Sequence, residues 1–507
     1  MIWVSLSVYL NASAAHVLGR GGAGVDPAQR PKKPSPTAQA QAEQKASETA
    51  QQQAIAAFEE GQRAHERGDL QKAIEQYDEA LKIIPDFPEA LYQSGMAHLA
   101  LKQLDQAHAN LARLVELESE TLASAGDATN PQLHSFFARV HSALGDIFTE
   151  RGDQAKAEQN YRRALELDPT WQRATTSLAS LLIERAAFQE AATLLRAAVQ
   201  AGGAPASIYN LLGYVYEKST QPDLALEAYN KAIEMEPRHR LTRLRRSHLR
   251  AARQDYPGAI EDMAVVYEQD NSVANALELG VLYERAGKPI EAISAYERAL
   301  KNPAPSVDTK RLRLKIIELL ISADRRDEAL AQAQHVMNEP PDDADALARL
   351  GSLLLPLDPA QAAQAYLRAL KLAPQKVDDQ VGLSAALLKM KRYQDVVNVS
   401  LDALKRAPEN YYAHSNLATA YFQLHQFAQA LDHFKWIIDH RPETTIAYYF
   451  LGICYDKLMD YELALAAYER FLEKADASQH QMEIDNVRFR LPGVRRMIEK
   501  NRGQRRR

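Results

Sequence analysis

Residues 138–171 read ARVHSALGDIFTERGDQAKAEQNYRRALELDPTW, and most of the chain repeats the pattern of this stretch. The stretch combines an apolar–glycine pair, two small residues around a ring, and a closing proline: Leu144-Gly145, Ala157, Tyr161, Ala164 and Pro169. The apolar spacing predicts two helices. Proline cannot continue a helix, so it marks the end of the unit.

This spacing resembles the 34-residue tetratricopeptide repeat, a helix–turn–helix unit. About twelve such units follow one another: 54–87, 88–121, 138–171, 172–205, 206–239, 240–272, 273–306, 310–343, 344–376, 377–410, 411–444 and 445–478. The resemblance implies an all-α fold, a right-handed superhelical solenoid of helix–turn–helix repeats that ends in a C-terminal capping helix. We number these units as repeats 1 to 12.

Small residues recur at fixed positions of the unit. The eighth residue is usually glycine, and the twentieth is alanine in every repeat except repeat 10, where it is Val396. We expect the two helices of a repeat to cross where these residues meet, because larger side chains would hold the backbones apart. The twenty-fourth residue is usually a ring, which we expect to fill the space between one repeat and the next. Gly-Asp pairs such as Gly68-Asp69 and Gly152-Asp153 are expected to end the first helix and cap the second.

The remaining segments flank or interrupt the repeats. The predicted organisation is a possible signal peptide (1–14), a flexible Pro/Ala/Gln-rich linker (15–53), repeats 1 and 2 (54–121), an insertion (122–137), repeats 3 to 12 (138–478), a helical cap (479–500) and a basic tail (501–507). We expect the linker to become helical near Gln41. We expect the stacking to bend or restart at the insertion, and Pro492 to break the cap into two pieces.

An apolar run at residues 2–10 precedes Ala12-Ser13-Ala14, a pattern typical of a secretory signal, although the segment has no Lys or Arg before the run. We therefore expect export to the periplasm or the extracellular space. A cytoplasmic location is the alternative.

Composition excludes several classes of function. The net charge is only −5 over 507 residues, which gives no global attraction to nucleic acid. Cys454 is the single cysteine, so a disulfide within the chain and a cysteine-based metal site are excluded, and a buried inert thiol is expected. No run of 18 apolar residues predicts a membrane span.

The sequence contains no motif for catalysis. A phosphate loop, HExxH, Gly-x-Ser-x-Gly and CxxC are all missing, and the histidines are scattered. We therefore predict a non-catalytic protein with no cofactor and no metal site.

In proteins of the family that the repeats resemble, the first helix of each unit lines a concave groove that binds partners. Carried across to this sequence, those positions assign ten candidate groove residues: Tyr92, Met96, Asn210, Tyr214, Lys218, His248, Tyr412, Phe422, Tyr449 and Ile453. Rings with interspersed polar groups suit peptide binding. The alternative is that some of these rings only pack against the neighbouring first helix.

Arginines are densest in repeat 6, where they form a candidate basic patch: Arg240, Arg243, Arg245, Arg246 and Arg250. The patch could bind an acidic partner or nucleic acid. The alternative, which the acidic balance of the remaining chain favours, is a solvated basic helix offset by acidic neighbours.

The function that the sequence predicts is an adaptor that holds a protein or peptide partner in the groove, with no small-molecule substrate evident. The alternatives are an accessory subunit or a cryptic transferase or hydrolase, binding through the Arg-rich repeat 6, and self-association through the ends of the array.

Overall fold

The computed structural model describes residues 36–124, 130–301, 303–340 and 343–505, and these ranges contain twenty-five helices and no strand. The predicted signal peptide, residues 15–35 of the linker, Gly126 of the insertion and the last two residues of the tail lie outside the described residues. The chain divides into two compact units, unit 1 (Met1–Val265) and unit 2 (Val266–Arg507).

Unit 1 contains the helices of repeats 1 to 5 and most of repeat 6. Its helices are α1 (Pro36–Glu66), α2 (Leu70–Ile83), α3 (Pro88–Ala100), α4 (Leu104–Ser124), α5 (Pro131–Glu150), α6 (Gln154–Leu167), α7 (Gln172–Glu184), α8 (Phe188–Gln200), α9 (Ala206–Lys218), α10 (Pro222–Met235), α11 (Arg240–Ala252) and α12 (Tyr256–Gln269), whose last residues belong to unit 2.

Unit 2 continues the pattern through repeat 12. Its helices are α13 (Val273–Arg285), α14 (Pro289–Lys301), α15 (Thr309–Ser322), α16 (Arg326–Asn338), α17 (Ala344–Leu354), α18 (Pro359–Leu372), α19 (Val377–Lys389), α20 (Tyr393–Arg406), α21 (Tyr411–Gln423), α22 (Phe427–His440), α23 (Thr445–Lys457), α24 (Tyr461–Lys474) and α25 (Ala477–Arg505). Odd-numbered helices up to α23 are the first helices of repeats, even-numbered helices are the second, and α25 follows the last repeat. The all-α solenoid of helix–turn–helix repeats is thereby confirmed.

In eleven of the twelve repeats the inner turn contains one residue in the left-handed region, and only repeat 9 lacks it. Gly68 (φ +81°) and Gly152 (φ +77°) end their first helices, and the side chains of Asp69 and Asp153 then accept hydrogen bonds from backbone amides of α2 and α6. The predicted Gly-Asp turns are therefore confirmed. Eight other repeats place a non-glycine residue at the same position, with φ between 55° and 64°: Lys102, Ala186, Thr220, Gln254, Asp324, Lys391, His425 and Met459.

The recurring glycines lie directly beneath the recurring rings. A Cβ at residue 145 would lie 2.4 Å from Cε1 of Tyr161, and a Cβ at residue 280 would lie 2.3 Å from Cε1 of Tyr296. Such distances are impossible, so the ring reaches its place only because the facing residue has no side chain. The tyrosines at this position cover the glycine of their own repeat, and some of the rings also reach the next repeat, as Tyr366 does at Gly382 and Phe434 at Phe450.

Helix α1 begins at Pro36, earlier than the sequence indicated, so residues 36–53 of the predicted linker are helical. The reason is composition. Beyond Pro36, which suits the first turn of a helix, this segment is rich in Ala, Gln, Glu and Lys, and these are strong helix formers.

The predicted insertion is largely absorbed by longer helices. Residues 122–124 end α4, and Asn130 caps α5 by accepting hydrogen bonds from the amides of Gln132 and Leu133. Phe136 and Phe137 are buried in one core cluster that spans from α3 to α10. The core of unit 1 therefore runs through this region, and the stacking does not restart there.

Glu118, in the lengthened part of α4, ties this region to repeat 3. Its carboxylate is almost fully buried and accepts hydrogen bonds from Nε2 of His141 at 2.7 Å and Nη2 of Arg163 at 2.5 Å. Burial raises the pKa of Glu118, but these two hydrogen bonds outweigh burial and hold the pKa below its usual value.

Helix α25 passes through Pro492, so the prediction that this proline breaks the cap is wrong. The irregular backbone lies instead at His480 (φ −128°, ψ 23°). Val487 before the proline and Val494 after it are both buried in the core cluster of repeats 11 and 12. Packing on both sides of Pro492 therefore keeps the helix continuous although one backbone hydrogen bond is lost.

Candidate functional site

Within each unit, first helices of successive repeats lie side by side and form a surface, which we call the first-helix face. In unit 1, α3 contacts α5, α5 contacts α7, α7 contacts α9, and α9 contacts α11. In unit 2, α15, α17, α19 and α21 follow one another in the same way.

The first-helix face of unit 1 contains an open cavity of about 600 Å³. Residues of repeats 2, 3 and 4 line it: Leu99, Ala100, Lys102, Asp146, Thr149, Glu150, Gly152, Gln154, Tyr161, Arg173, Thr176, Ser177, Ser180, Leu181 and Glu184. We call this space the repeat 2–4 cavity. The wall exposes both polar and apolar groups, which suits a peptide more than a purely apolar ligand.

Two ion pairs connect adjacent repeats across this cavity. Nζ of Lys102 lies 2.5 Å from Oε1 of Glu150, and Nη2 of Arg173 lies 2.8 Å from Oδ2 of Asp146. The hydroxyl of Tyr161 donates to Oδ1 of Asp146 at 2.9 Å. Burial raises the pKa of Tyr161 to about 12, so this hydroxyl remains a donor at neutral pH. The two ion pairs thus bridge neighbouring repeats at the wall of the cavity.

Repeats 5 and 6 bring together four residues that the sequence placed in two separate groups. The Arg245 guanidinium carbon lies 4.3 Å from the centre of the Tyr214 ring, and Nζ of Lys218 lies 5.4 Å from it. Nη1 of Arg245 donates to Oδ1 of Asn210 at 3.2 Å. We call these four residues the Tyr214 cluster. His248 lies one turn further along α11 and is exposed.

The basic patch is mostly not a solvated surface. Arg243, Arg246 and Arg250 converge on the carboxylate of Asp262, which is fully buried. Their nitrogens lie 2.7–3.0 Å from its oxygens. The interpretation as a basic helix offset by acidic neighbours is right about the charge, but the contact of these three residues is buried rather than solvated, because Asp262 on α12 is buried. Arg240, at the start of α11, is exposed.

The two candidates in repeat 2 are half-buried against the core. Tyr92 packs on Phe136 with ring centres 5.5 Å apart, and Met96 also contacts the core cluster of unit 1.

The C-terminal candidates of unit 2 differ in how far they project. Tyr412 is 63% exposed, whereas Phe422 packs against Phe450 with ring centres 5.0 Å apart. Ile453 contacts the core cluster of repeats 11 and 12. Tyr449 packs against Phe471, and its hydroxyl accepts a hydrogen bond from Asn486 of α25 at 3.4 Å. The capping helix therefore contacts the first-helix face at repeat 12.

Sequence reasoning missed the residues of repeats 3 and 4 that line the cavity. The family positions used for the other repeats point to seven of them here: Asp146, Thr149, Glu150, Arg173, Thr176, Ser180 and Glu184. The same positions read across every repeat would have found them. Also missed was a stack of aromatic and imidazole rings in repeat 11, because its members come from two helices.

Cys454 is a buried free thiol, as expected, and burial raises its pKa to about 12. The described residues contain no cluster of three or more His, Cys, Asp or Glu side chains that could hold a metal ion. Among the helices that the structure describes, none combines the length and apolarity that crossing a bilayer requires.

Paired helices with a shared first-helix face define a helical-repeat protein. Family models of the tetratricopeptide repeat match five stretches of the sequence: residues 61–102, 138–171, 206–239, 273–374 and 415–479. The chain belongs to the tetratricopeptide repeat proteins.

Similar curated proteins include the human protein O-mannosyl-transferase TMTC1, 26% identical over 175 residues, which are 32% of this chain and 19% of that protein. The Arabidopsis thaliana CTR9 homolog is 25% identical over 177 residues, 33% of this chain and 15% of that protein. The bovine BBSome complex member BBS4 is 28% identical over 124 residues, 24% of this chain and 21% of that protein. The matches therefore cover about a fifth or less of each relative.

Several solved structures are similar to the chain. They include MamA, with a TM-score of 0.31 and 19% identity over 32% of this chain and 91% of MamA. YrrB, described as a TPR protein with an unusual peptide-binding site, has a TM-score of 0.31 and 20% identity over 41% of this chain and 97% of YrrB. The Naa15/Naa10 structure bound to HypK-THB has a TM-score of 0.28 and 14% identity over 88% of this chain and 79% of that chain.

Proposed function

We propose that this protein is a non-catalytic adaptor that holds a segment of a protein partner on the first-helix face of unit 1. The repeat 2–4 cavity is the observation that carries the proposal. Three consecutive repeats line it, and it is open to solvent. Thr176, Ser180 and Glu184 present polar groups along one side of α7, at a spacing that can follow an extended peptide.

The ion pairs around the cavity support a binding role because they set its geometry before a partner arrives. Lys102–Glu150 links repeats 2 and 3, and Arg173–Asp146 links repeats 3 and 4. Exposed ion pairs contribute little to stability, about 0–1 kcal/mol each. Their main effect here is to orient side chains, which lowers the entropy that binding would otherwise cost.

A variant that fills the cavity tests this proposal. Ser180 is exposed in α7 and lines the cavity, whereas Thr193 is exposed in α8, the second helix of the same repeat. We expect Ser180→Trp to abolish capture of the partner in a pull-down from native extract, whereas Thr193→Trp leaves capture unchanged. Circular dichroism should show the same helicity for both. Equal capture by wild type and Ser180→Trp would contradict the proposal.

The likeness to an O-mannosyl-transferase raises the alternative of an accessory subunit or a cryptic transferase or hydrolase. In the repeat 2–4 cavity the carboxylates of Asp146 and Glu150 are each paired with a cation, an arrangement that favours positioning over proton transfer. Incubation of the purified protein with sugar donors and ester or peptide substrates separates the two readings. Turnover that Ser180→Trp abolishes would favour the enzyme.

Export of the protein and its self-association are two further proposals, each with its own test. Export predicts cleavage after Ala14, which N-terminal sequencing of the native protein detects. Self-association through the ends of the array predicts a mass that rises with concentration in light scattering.

A further inference from the structure

We propose that the side of the capping helix α25 that faces away from the repeats docks on a lipid membrane with anionic headgroups. Two apolar side chains and three cations make the contact: Met482, Phe489, Arg488, Arg496 and Lys500. We call these five residues the α25 outer face. The proposal is independent of the adaptor role, because the α25 outer face belongs to unit 2 and shares no residue with the repeat 2–4 cavity.

Helix α25 packs on the repeats with one side only. Val487, Val494 and Ile498 are buried in the core cluster of repeats 11 and 12. Met482 and Phe489 lie seven residues apart, which is two helical turns, and both project from the opposite side. They are 69% and 91% exposed, and among the residues that the structure describes Phe489 is the most exposed large apolar side chain. Both side chains are therefore available to a partner that accepts apolar groups.

The cations around Phe489 lack a counter-charge within the described part of the chain. Two other arginines of α25 are paired with carboxylates of repeat 12: Arg490 with Asp456 at 2.6 Å and Arg495 with Glu469 at 3.0 Å. Arg488, Arg496 and Lys500 differ, because they are exposed and no described carboxylate oxygen lies within 4 Å of them. The α25 outer face therefore presents three uncompensated positive charges to the solvent.

Positive charge is concentrated in this part of the sequence. Residues 486–507 contain nine Lys or Arg and one Glu, so their net charge is +8. Because the whole chain carries −5, the other 485 residues carry −13. Glu483 and Asp485 oppose the positive charge earlier in α25. Attraction to an anionic surface is therefore strongest from Arg488 onward.

The combination of exposed apolar groups and unpaired cations favours a lipid surface over a nucleic acid. The headgroup region of a membrane takes up apolar side chains to a depth of about 5–10 Å, while neighbouring cations stay at the level of the phosphates. Bases of a nucleic acid stack on flat rings, and Met482 offers none. A second copy of the chain, which is acidic outside this segment, is the competing occupant, and the test separates it from a membrane.

The test uses the full-length protein and vesicles of defined composition. The probe is a sucrose-loaded vesicle of phosphatidylcholine with about 30% phosphatidylglycerol, and its control is pure phosphatidylcholine. Sedimentation at physiological salt measures the fraction of protein bound. We expect at least about tenfold stronger partition onto the anionic vesicles, because only they supply the counter-charges. Light scattering without lipid, and binding of a single-stranded RNA, are measured alongside.

A triple variant removes the three cations of the α25 outer face: Arg488→Gln, Arg496→Gln and Lys500→Gln. Its matched control lowers the net charge equally at exposed residues of three other helices: Lys82→Gln, Lys231→Gln and Lys371→Gln. We expect the first variant to weaken partition onto anionic vesicles about tenfold or more and the control to leave it within about twofold, because only cations within a Debye length of the surface contribute. All six residues are exposed, so circular dichroism should show unchanged helicity in both variants.

Variants of Phe489 test whether the ring enters the membrane. Phe489→Trp keeps an aromatic side chain, and its emission should move to shorter wavelength with anionic vesicles but not with pure phosphatidylcholine. The wild-type spectrum supplies the blank for the native tryptophans. Phe489→Ala should weaken partition about fivefold, because it removes the apolar area that the membrane would bury. Met235→Ala, at a residue that is 52% exposed in repeat 5, is the control and should leave partition unchanged.

Three outcomes with lipid would overturn the inference. They are equal partition onto the two kinds of vesicle, equal loss in both triple variants, and an unchanged emission wavelength of Phe489→Trp on anionic vesicles. Two outcomes without lipid would assign the α25 outer face to another occupant. A mass that rises with concentration and falls to the monomer in the first triple variant would identify a second copy. RNA binding that the same variant abolishes, without vesicle binding, would identify a nucleic acid.

Discussion

Repeats 6 and 11 use the same two positions of the repeat with different chemistry. The fourth residue of the first helix faces the twenty-third residue, which lies on the second helix: Arg243 faces Asp262 in repeat 6, and His414 faces His433 in repeat 11. The repeat geometry therefore provides a fixed polar contact, and the residues placed there decide whether it depends on charge or on neutral tautomers.

In repeat 6 the contact is ionic and buried. Arg246 binds Asp262 through two nitrogens, at 2.8 Å and 2.7 Å, and Arg243 and Arg250 add one contact each. Asp262 is fully buried. An isolated buried carboxylate would be very costly, and so would buried guanidinium groups without a counter-charge, so the residues depend on one another.

In repeat 11 the contact joins two histidine rings, and burial lowers the pKa of both. The carbonyl oxygen of Pro408 can only accept, so Nε2 of His414 carries its proton. Nδ1 of neutral His414 is then an acceptor, and Nδ1 of His433 donates to it at 2.9 Å. The His414 ring also stacks on Trp436 at 3.8 Å. A further proton on His414 would place two donors face to face.

The largest effect on stability is expected from removing Asp262, because this breaks the ionic contact of repeat 6. We expect Asp262→Ala to lower the free energy of unfolding by about 3–5 kcal/mol, because it leaves buried guanidinium groups unpaired. The shift of the urea midpoint, followed by circular dichroism, measures this loss. Asp223→Ala is the control, since Asp223 is 83% exposed where it pairs with Arg253, and it should cost at most about 1 kcal/mol. Similar losses in both variants would refute a buried ionic contact.

Acidification should destabilise repeat 11, because it charges a ring that is partly buried in the folded protein. Burial, and then the proximity of His414, lower the pKa of His433 to about 4, although Asp432 acts in the opposite direction. An unfolded histidine titrates near pKa 6.5. Because the folded pKa lies below the unfolded one, this stabilisation is complete above about pH 6.5, declines as the pH falls toward about 4, and stays lost below that.

We expect a loss on the order of 1–2 kcal/mol for His433, since the ring is partly exposed and solvent screens part of the effect. Urea midpoints between pH 7.5 and 4.5 measure it, and Trp436 fluorescence should report the same transition through its contact with His414. His433→Gln can still donate to His414 but does not titrate. An unchanged pH dependence in this variant would assign the transition to other groups.

The smallest effect on stability is expected at the turns inside repeats 6 and 11. Both turns place a non-glycine residue in the left-handed region, so the backbone is strained in the same way. Gln254 (φ +64°) and His425 (φ +59°) occupy the left-handed position of repeats 6 and 11. Gln254→Gly should stabilise the protein by about 0.5–1 kcal/mol. His425→Gly should stabilise it by less, because the His425 ring also packs against the Phe427 ring, with ring centres 5.7 Å apart. Thermal unfolding measures both. Gly152→Ala is the reverse control and should destabilise, and a gain there would exclude strain as the cause.

The sequence located most candidate residues but not their neighbours. Glycine at the eighth position and rings at the twenty-fourth both recur visibly, yet the sequence does not show which ring covers which glycine. Tyr366 illustrates why, because its ring lies against Gly351 of its own repeat and also against Gly382 of the next. Such contacts depend on the rise and rotation from one repeat to another, which side-chain spacing alone does not specify.

The candidate site shows the same limit more strongly. Asn210, Tyr214 and Lys218 were assigned to the groove, and Arg245 to a basic patch, although the four side chains form one cluster. The arginines bound to Asp262 looked identical to Arg245 in the sequence. Their counter-charge lies 12 to 19 residues away on another helix, so no periodicity within α11 could reveal it.

The sequence by itself determined the twelve helix pairs, the small residues where they cross and the turns that join them. These features follow from local rules, since helix hydrogen bonds, caps and left-handed turns involve residues a few positions apart. Only the tertiary structure decided which charges are consumed inside a repeat and which remain at the first-helix face. Burial and ion pairing depend on side chains that meet across helices, and the dielectric environment of each group exists only once the repeats have packed.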